Sequence, residues 1–289
     1  MDFIMYNRGR RVRKSARPKE WGELEELKRK KAFISDMDGV IYHGNLLLPG
    51  VREFVDWLEK NGKEYLFLTN SSERSPKELK QKLHRLGLDV GEEHFYTSAL
   101  ATASYLKNQC PGGSAYVIGE AGLVGALYDA GFSMNDVNPD YVVVGETSGY
   151  SFEKIQKAVH LVRNGAKLLG TNPDITGPVE NGIAPACRAL ISPIEMACGR
   201  QAYFIGKPNP LMMRHAQSRL KASPEDTVII GDRMDTDVVA GIESGMDTVL
   251  VLSGVTSLEG MATYPYQPHY VLRGVGDIPA GAEPVRVRP

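Results

Sequence analysis

Eight continuous apolar runs of strand length punctuate this chain, and helical stretches separate nearly all of them. They are AFIS from residue 32, YLFLTN from 65, AYVIGE from 115, YVVVGE from 141, AKLLGTN from 166, AYFIGK from 202, TVIIGD from 227 and TVLVLSG from 248. Strands that are apolar throughout, rather than at alternate positions, need cover on both faces, which parallel sheets flanked by helices provide. The stretches between them carry helix punctuation. Ser75, Pro76 and Glu78 spell a capping box with proline at the first helical position, and Gly87 predicts the stop. A second helix is predicted from Ser151 to Gly165, with Phe152, Ile155, Val159 and Val162 on its apolar face. The fold class is therefore α/β, doubly wound, with parallel sheets. At 289 residues, 42% of them hydrophobic, the chain can bury one large core or two modest ones.

Several classes of protein are set aside at once. No apolar run approaches the roughly 20 residues needed to span a bilayer. The stretch from Met1 to Met5 is too short for a secretory signal, so a cytoplasmic protein is expected. Cys110, Cys187 and Cys198 are odd in number and lack any C-x-x-C spacing, which points to neither zinc nor a disulfide framework. Charge is uneven: residues 1–31 hold 11 Lys/Arg against 5 Asp/Glu, whereas the whole chain carries a net charge of -1. The basic stretch RGRRVRKSARPK neither alternates nor repeats and reads as a solvated arm, and the closing IPAGAEPVRVRP reads as a frayed tail.

Doubly wound sheets bind ligands beyond the carboxyl ends of their strands, and polar residues collect there. Asp36 and Asp38 follow the first run, Thr69 and Asn70 close the second, Lys207 closes the sixth, and Asp232 closes the seventh with Asp237 shortly after. The middle runs, between residues 115 and 172, lie between Asn70 and Lys207 as an insertion would. If the two strand ends converge, their four acids cannot all stay ionised without a cation, and few oxygen ligands with room for water and phosphate suit Mg²⁺. A calcium loop is excluded, because DMDGVIYHGNLL has Val40 at its fifth position and Ile41 where the turn glycine belongs. Thr69 and Asn70 offer a hydroxyl and an amide to phosphoryl oxygens, and Lys207 offers a compact positive charge. Asn209 is placed to cap a helix opening at Pro210. Phosphate monoester cleavage requires these parts, since the protein's task there is to position groups and neutralise charge. GEAGLVG, residues 119–125, spaces its glycines at three and three and reads as helix packing rather than a dinucleotide fingerprint.

Together these residues resemble a known family. DMDG at 36–39, a strand ending in Thr69, Lys207 in GKP, and GDRMDTD at 231–237 are similar to the four ordered motifs of the haloacid dehalogenase superfamily of phosphatases. LTNSS, YTSALATA, DVNPDYVVVGET, TNPD and VLVLSGVTSL extend the similarity to its NagD family of nucleotide phosphatases, over residues 32–275. The resemblance implies an aspartyl-phosphate mechanism with Asp36 as nucleophile. Asp38 would protonate the leaving oxygen and then activate water. Thr69 and the backbone of Asn70 would bind the phosphoryl group, and Lys207 would neutralise it. Mg²⁺ would be held by Asp36, the backbone carbonyl of Asp38, and Asp232, with Asp237 supporting from behind.

The same resemblance implies a phosphatase core at 32–99 and 196–276, an inserted α/β cap of the family's second class at 100–195, a basic N-terminal extension at 1–31 and a C-terminal tail at 277–289. Glu146, Thr147, Asn172 and Asp174 are then the expected substrate-facing cap residues. The implied substrate is a small phosphomonoester such as UMP, with phosphoglycolate, glycerol phosphate or nitrophenyl phosphate as alternatives. A phosphorylation-switched binding module is the reading of a different class. Asp38, two residues after the nucleophile, and the large insert favour turnover over that switch. No nucleic acid or membrane partner is required, and the architecture is compatible with a homo-oligomer.

Overall fold

A computed structural model of the chain describes residues 24–179 and 182–285; most of the basic extension, and residues 286–289 of the tail, lie outside the described residues. Six parallel strands make the larger sheet, in the spatial order Tyr270–Leu272, Asp247–Val251, Thr227–Gly231, Ala32–Ser35, Glu64–Thr69, Phe95–Thr97. The chain starts this sheet at its centre, runs out to one edge, leaves to build a second unit, and returns to complete the other half. Strand order thus reverses at Ala32–Ser35, which opens a crevice at its carboxyl end. Both faces are covered, as unbroken apolar runs require. Phe33, Phe67 and Ile230 join one core with Phe54, Val55 and Leu58 of the helix Val51–Lys60, while Ile34, Leu66 and Ile229 join the core on the other face. The doubly wound α/β expectation holds.

The second unit carries a five-stranded parallel sheet in the order Tyr203–Phe204, Lys167–Gly170, Tyr141–Val144, Ser114–Ile118, Ser133–Met134. Ile118, Val142, Val144 and Leu168 face the helices Phe152–Arg163 and Cys187–Cys198. Ala115, Tyr141, Val143 and Leu169 face the other way and share a core with Ile34 and Leu66 of the larger sheet. Between the two sheets runs the helix Ser98–Gln109, where Ala99, Ala101, Ala103 and Leu106 are all buried. Ser98 and Thr102 are buried as well, so the helix is enclosed on more than one side up to Leu106. An antiparallel hairpin, Thr176–Val179 with Gly182–Pro185, leaves the second unit beside the crevice.

Several expectations need correction. Tyr203–Phe204 pairs with Lys167–Gly170, so the second sheet extends past residue 195; an apolar run looks the same whichever parallel sheet receives it. Phe152 is 73% exposed, whereas Val162 is buried and Ile155 and Val159 pack partly buried beside it, with Ala158 and Leu161 completing the inward face. The inward arc is thus turned away from the position the pattern assigned to its first residue. The tail does not fray over its described part: Asp277–Ala280 is helical with Ile278 buried, and the Val285 N–H donates to the Val271 carbonyl at 2.8 Å. Leu24–Arg29, the last described turn of the basic extension, is a helix that buries Leu24 and Leu27. The capping box at Ser75 and Glu78 and the Asn209 cap both form as expected.

Gly241 sits in the helix Val239–Ser244 where a Cβ would overlap the side chains of Ile229 and Thr248. Alanine gains about 1 kcal/mol of helix propensity over glycine, but overpacking a core costs about 1–3 kcal/mol. Gly241→Ala should therefore lower the urea midpoint with an unchanged m-value; a raised midpoint would show that the helix is free to lift.

Candidate active site

Asp36 leaves Ala32–Ser35 still in register, its N–H donating to the Ile230 carbonyl at 2.8 Å. The carboxylates of Asp36, Asp232 and Asp237 each place an oxygen within 4.8 Å of the others. Lys207 stands among them: its Nζ donates to Asp36 Oδ1 and to Asp237 Oδ1, both at 2.7 Å, and to the Leu68 carbonyl at 3.2 Å. Lys207 and Asp237 are 2% and 1% exposed and Asp36 is 12% exposed, so Asp36 is the member of this trio that the crevice can reach. Burial works against the charged form of Lys207, but the two carboxylates outweigh it and hold the ammonium charged. Burial pushes the Asp36 carboxyl above its ordinary range, with Lys207 pulling it back.

Asp237 is held from behind. It stands in a π-helical turn, Met234–Val238, and its Oδ2 accepts the Arg233 N–H and the Thr236 hydroxyl, each at 3.3 Å. Single π turns of this kind occur often at functional sites. Asp232 differs: Oδ2 accepts the Val255 N–H at 2.7 Å, but the buried Oδ1 has no hydrogen-bond partner. Burial, then the charges of Asp36 and Asp237, raise its carboxyl to about 8. Gly39, in the left-handed region at φ +79°, and Gly254 both face Asp232 where a Cβ would strike its carboxylate. An orphaned carboxylate oxygen, three acids facing one ammonium, and an all-oxygen donor set fit a divalent cation, with Asp36 and Asp232 as the side chains free to hold it.

Thr69 ends its strand almost fully buried, its Oγ1 accepting the Ser71 N–H at 3.1 Å, which leaves the hydroxyl proton to donate. Asn70 spans the two units. Its Oδ1 accepts the Lys207 N–H at 2.7 Å, and its Nδ2 donates to the Lys207 carbonyl at 3.1 Å and to Asp174 Oδ2 at 3.0 Å. Asp38 lies across the crevice, where its Oδ2 accepts the Tyr42 hydroxyl at 3.2 Å. Burial raises the Asp38 carboxyl, and the Lys82 charge, the Tyr42 hydrogen bond and the Arg74 charge oppose it.

Asp36, Asp38, Thr69, Asn70, Lys207 and Asp232 line one cavity of about 530 Å³ between the strand ends, the second unit and the hairpin. Asp174 lines it with Oδ1 unpartnered, and burial lifts that carboxyl to about 6. Thr147 also lines it, its hydroxyl donating to a Glu120 oxygen at 2.7 Å. Glu146 reaches the wall, but its Oε2 accepts the Ser72 N–H at 3.1 Å and its Oε1 accepts from Asn172. Asn172 departs from its expected substrate-facing place. It is wholly buried and donates to the Asn70 carbonyl at 2.7 Å, so it ties the second unit to the first. Arg233, Arg74 and Lys82 also line the cavity. Sequence reasoning misses them: Arg233 is visible inside GDRMDTD, while Arg74 precedes the helix Pro76–Arg85 and Lys82 lies in its last turn, where charges look like an ordinary solvated face.

Comparison with known proteins agrees with this geometry. A profile of haloacid dehalogenase-like hydrolases matches residues 33–133, and a second HAD-hydrolase-like profile matches residues 204–278. The dihydroxyacetone phosphatase of Corynebacterium glutamicum is 45% identical over 86% of this chain and 90% of its own length. The ribonucleotide monophosphatase NagD of Escherichia coli is 42% identical over 86% of this chain and 98% of its own. The solved structure of NagD from E. coli K-12 superposes with a TM-score of 0.81 at 40% identity, covering 90% of this chain and 99% of that one. A 4-nitrophenylphosphatase from Thermotoga maritima superposes with a TM-score of 0.84 at 30% identity, covering 91% and 99%. With its four motifs gathered around one crevice and relatives matched over nearly their full length, this chain belongs to the haloacid dehalogenase-like hydrolases, as a phosphatase of the NagD type.

Proposed function

We propose that this phosphatase works through an aspartyl-phosphate on Asp36 with Mg²⁺ as its cation, and that nucleoside monophosphates such as UMP are its leading substrates. The observation that carries the chemistry is the meeting of Asp36, Asp232 and Asp237 around Lys207 with one Asp232 oxygen left unpartnered. A bound Mg²⁺, held by Asp36, the Asp38 carbonyl and Asp232, supplies positive charge against the phosphoryl oxygens and the carboxylates. Lys207 adds to that charge, and Thr69 with the Asn70 backbone orients the phosphoryl group.

In the first step an Asp36 oxygen forms a bond to phosphorus, the ester P–O bond breaks, and the leaving oxygen takes the Asp38 proton. In the second step Asp38, now a carboxylate, takes a proton from water whose oxygen attacks phosphorus. The bond to Asp36 breaks, phosphate leaves, and Asp38 is again protonated. A raised carboxyl is what such a donor needs near neutral pH. Glu146, Thr147 and Asp174 bring the second unit to the leaving-group side, where Asp174 Oδ1 is free to accept from a hydroxyl of the substrate. The cavity between two units, together with relatives that turn substrate over, favours catalysis over a phosphorylation switch. No helix among the described residues is long and apolar enough to cross a membrane, and a cytoplasmic location belongs to the same proposal.

Asp36→Asn should abolish turnover while the protein still folds, at a lowered unfolding midpoint because Lys207 loses a charged partner, while Asp38→Asn should slow hydrolysis of UMP by about 10²–10⁴-fold. Steady-state rates and urea titrations check both, and activity retained by Asp36→Asn would exclude it as nucleophile. For the cation the sign is fixed by Asp232. Its raised carboxyl holds a proton below about pH 8 that Mg²⁺ must displace. Apparent affinity should then rise about tenfold per pH unit up to that point and level off beyond it. Calorimetric titrations in two buffers of different protonation enthalpy read the proton released, and pH-independent affinity would contradict this assignment. For the substrate, specificity constants for UMP, dihydroxyacetone phosphate and phosphoglycolate should rank UMP first. A higher constant for the triose phosphate would move the assignment toward the chemistry named for the C. glutamicum relative.

A further inference from the structure

We propose that Tyr42 is a positioning residue for proton transfer: its buried hydroxyl occupies one oxygen of the Asp38 carboxyl, so that the proton given to the leaving group resides on the other. This rests on the acid–base role proposed for Asp38. The chain between the two residues is knitted to make the pairing. The N–H groups of Ile41 and Tyr42 both turn back to the Met37 carbonyl, at 2.8 and 3.2 Å, and the Gly39 N–H donates to the Tyr42 carbonyl at 2.9 Å. The left-handed Gly39 permits that tight return, which sets Tyr42 beside Asp38 with its hydroxyl donating to Oδ2 at 3.2 Å. Tyr42 is 2% exposed, so its hydroxyl has little access to water. The ring is fixed as well, because Lys82 Nζ lies 3.5 Å from its centroid, in cation–π contact.

An oxygen that accepts an O–H cannot readily carry a proton directed at the same donor. The neutral Asp38 acid therefore bears its proton on Oδ1, and Asp38 lines the cavity. When the ester bond breaks, that proton moves to the leaving oxygen. The carboxylate left behind receives a charge-assisted hydrogen bond from Tyr42. Tyr42 makes this hydrogen bond from a buried position, with Asp38 Oδ2 as its partner at 3.2 Å. It touches neither phosphorus nor leaving group and acts only through Asp38.

Tyr42→Phe removes the hydroxyl and keeps the ring, its burial and its cation contact. The readout is kcat/KM for phenyl phosphate, whose leaving group needs a proton, and for 4-nitrophenyl phosphate, whose leaving group departs without one. A hydrogen bond to a charged group is worth about a tenfold or greater rate effect. Phenyl phosphate should therefore lose at least about tenfold and 4-nitrophenyl phosphate less than about threefold, the retained activity also certifying the fold. Equal losses on both esters, or none on either, would overturn the proposal. In an Asp38→Asn background the same substitution should cost nothing further, and an undiminished second loss would equally sink it. Failure of the underlying reading is separately visible: Asp38→Asn alone would then leave phenyl phosphate hydrolysis intact.

Discussion

Lys207 is nearly sealed from water, yet its ammonium stays charged because two carboxylates and the Leu68 carbonyl stand in for the water it has lost. Losing one partner of such a buried pair generally costs about 3–5 kcal/mol, since the survivor is left charged in a poor dielectric. The site is built around that constraint. Asp237 is fixed by a π turn, the Arg233 N–H and the Thr236 hydroxyl, which leaves Asp36 as the more exposed member of the pair. Asp232 is pressed against the group from the neighbouring strand end, where burial and the charges of Asp36 and Asp237 raise its carboxyl, a crowding that a cation in the crevice would relieve. Asp36 lines the cavity while the ammonium holds its carboxylate in place.

The two units meet through the same few residues. Asn70 accepts from the Lys207 backbone, donates to Asp174, and offers its carbonyl to Asn172. Ser72 and Glu146 make a second tie alongside. Gly206 stands where a Cβ would come within 2.6 Å of Asn70 Oδ1 and 2.7 Å of the Asn172 side chain, so the close approach needs glycine there. The residues proposed to orient phosphate are thus in direct hydrogen-bond contact with those that present the second unit to the leaving group. Below them, the helix Ser98–Gln109 lets one apolar core run from the larger sheet into the smaller.

Much of this is readable from the chain, for a physical reason. Parallel strands buried on both faces must be apolar throughout, so the polar residue that breaks each run marks the strand end where ligands bind. Asp36, Thr69, Lys207 and Asp232 all carry that signal. It fails where the partner is tertiary. Asn172 closes an apolar run as convincingly as Lys207 does, yet it faces the Asn70 carbonyl rather than the cavity. Tyr42 sits in a short apolar stretch, and nothing in its spacing announces that its hydroxyl meets Asp38. Ile278 and Val285 lie in a proline- and glycine-rich end that composition reads as loose, and only the surface they cover shows otherwise.

Tyr203–Phe204 closes the smaller sheet, and Lys207 follows within three residues. The insertion therefore has no clean seam at residue 195. A chimaera exchanging inserts between relatives would, if cut there, separate an edge strand from its sheet while keeping the ammonium on a scaffold it was not shaped for. The graft that respects the chemistry carries the donor's segment through Lys207, and with it a matching Asn70. The edge strand of the smaller sheet and the buried ammonium thus travel on one short, continuous stretch of chain.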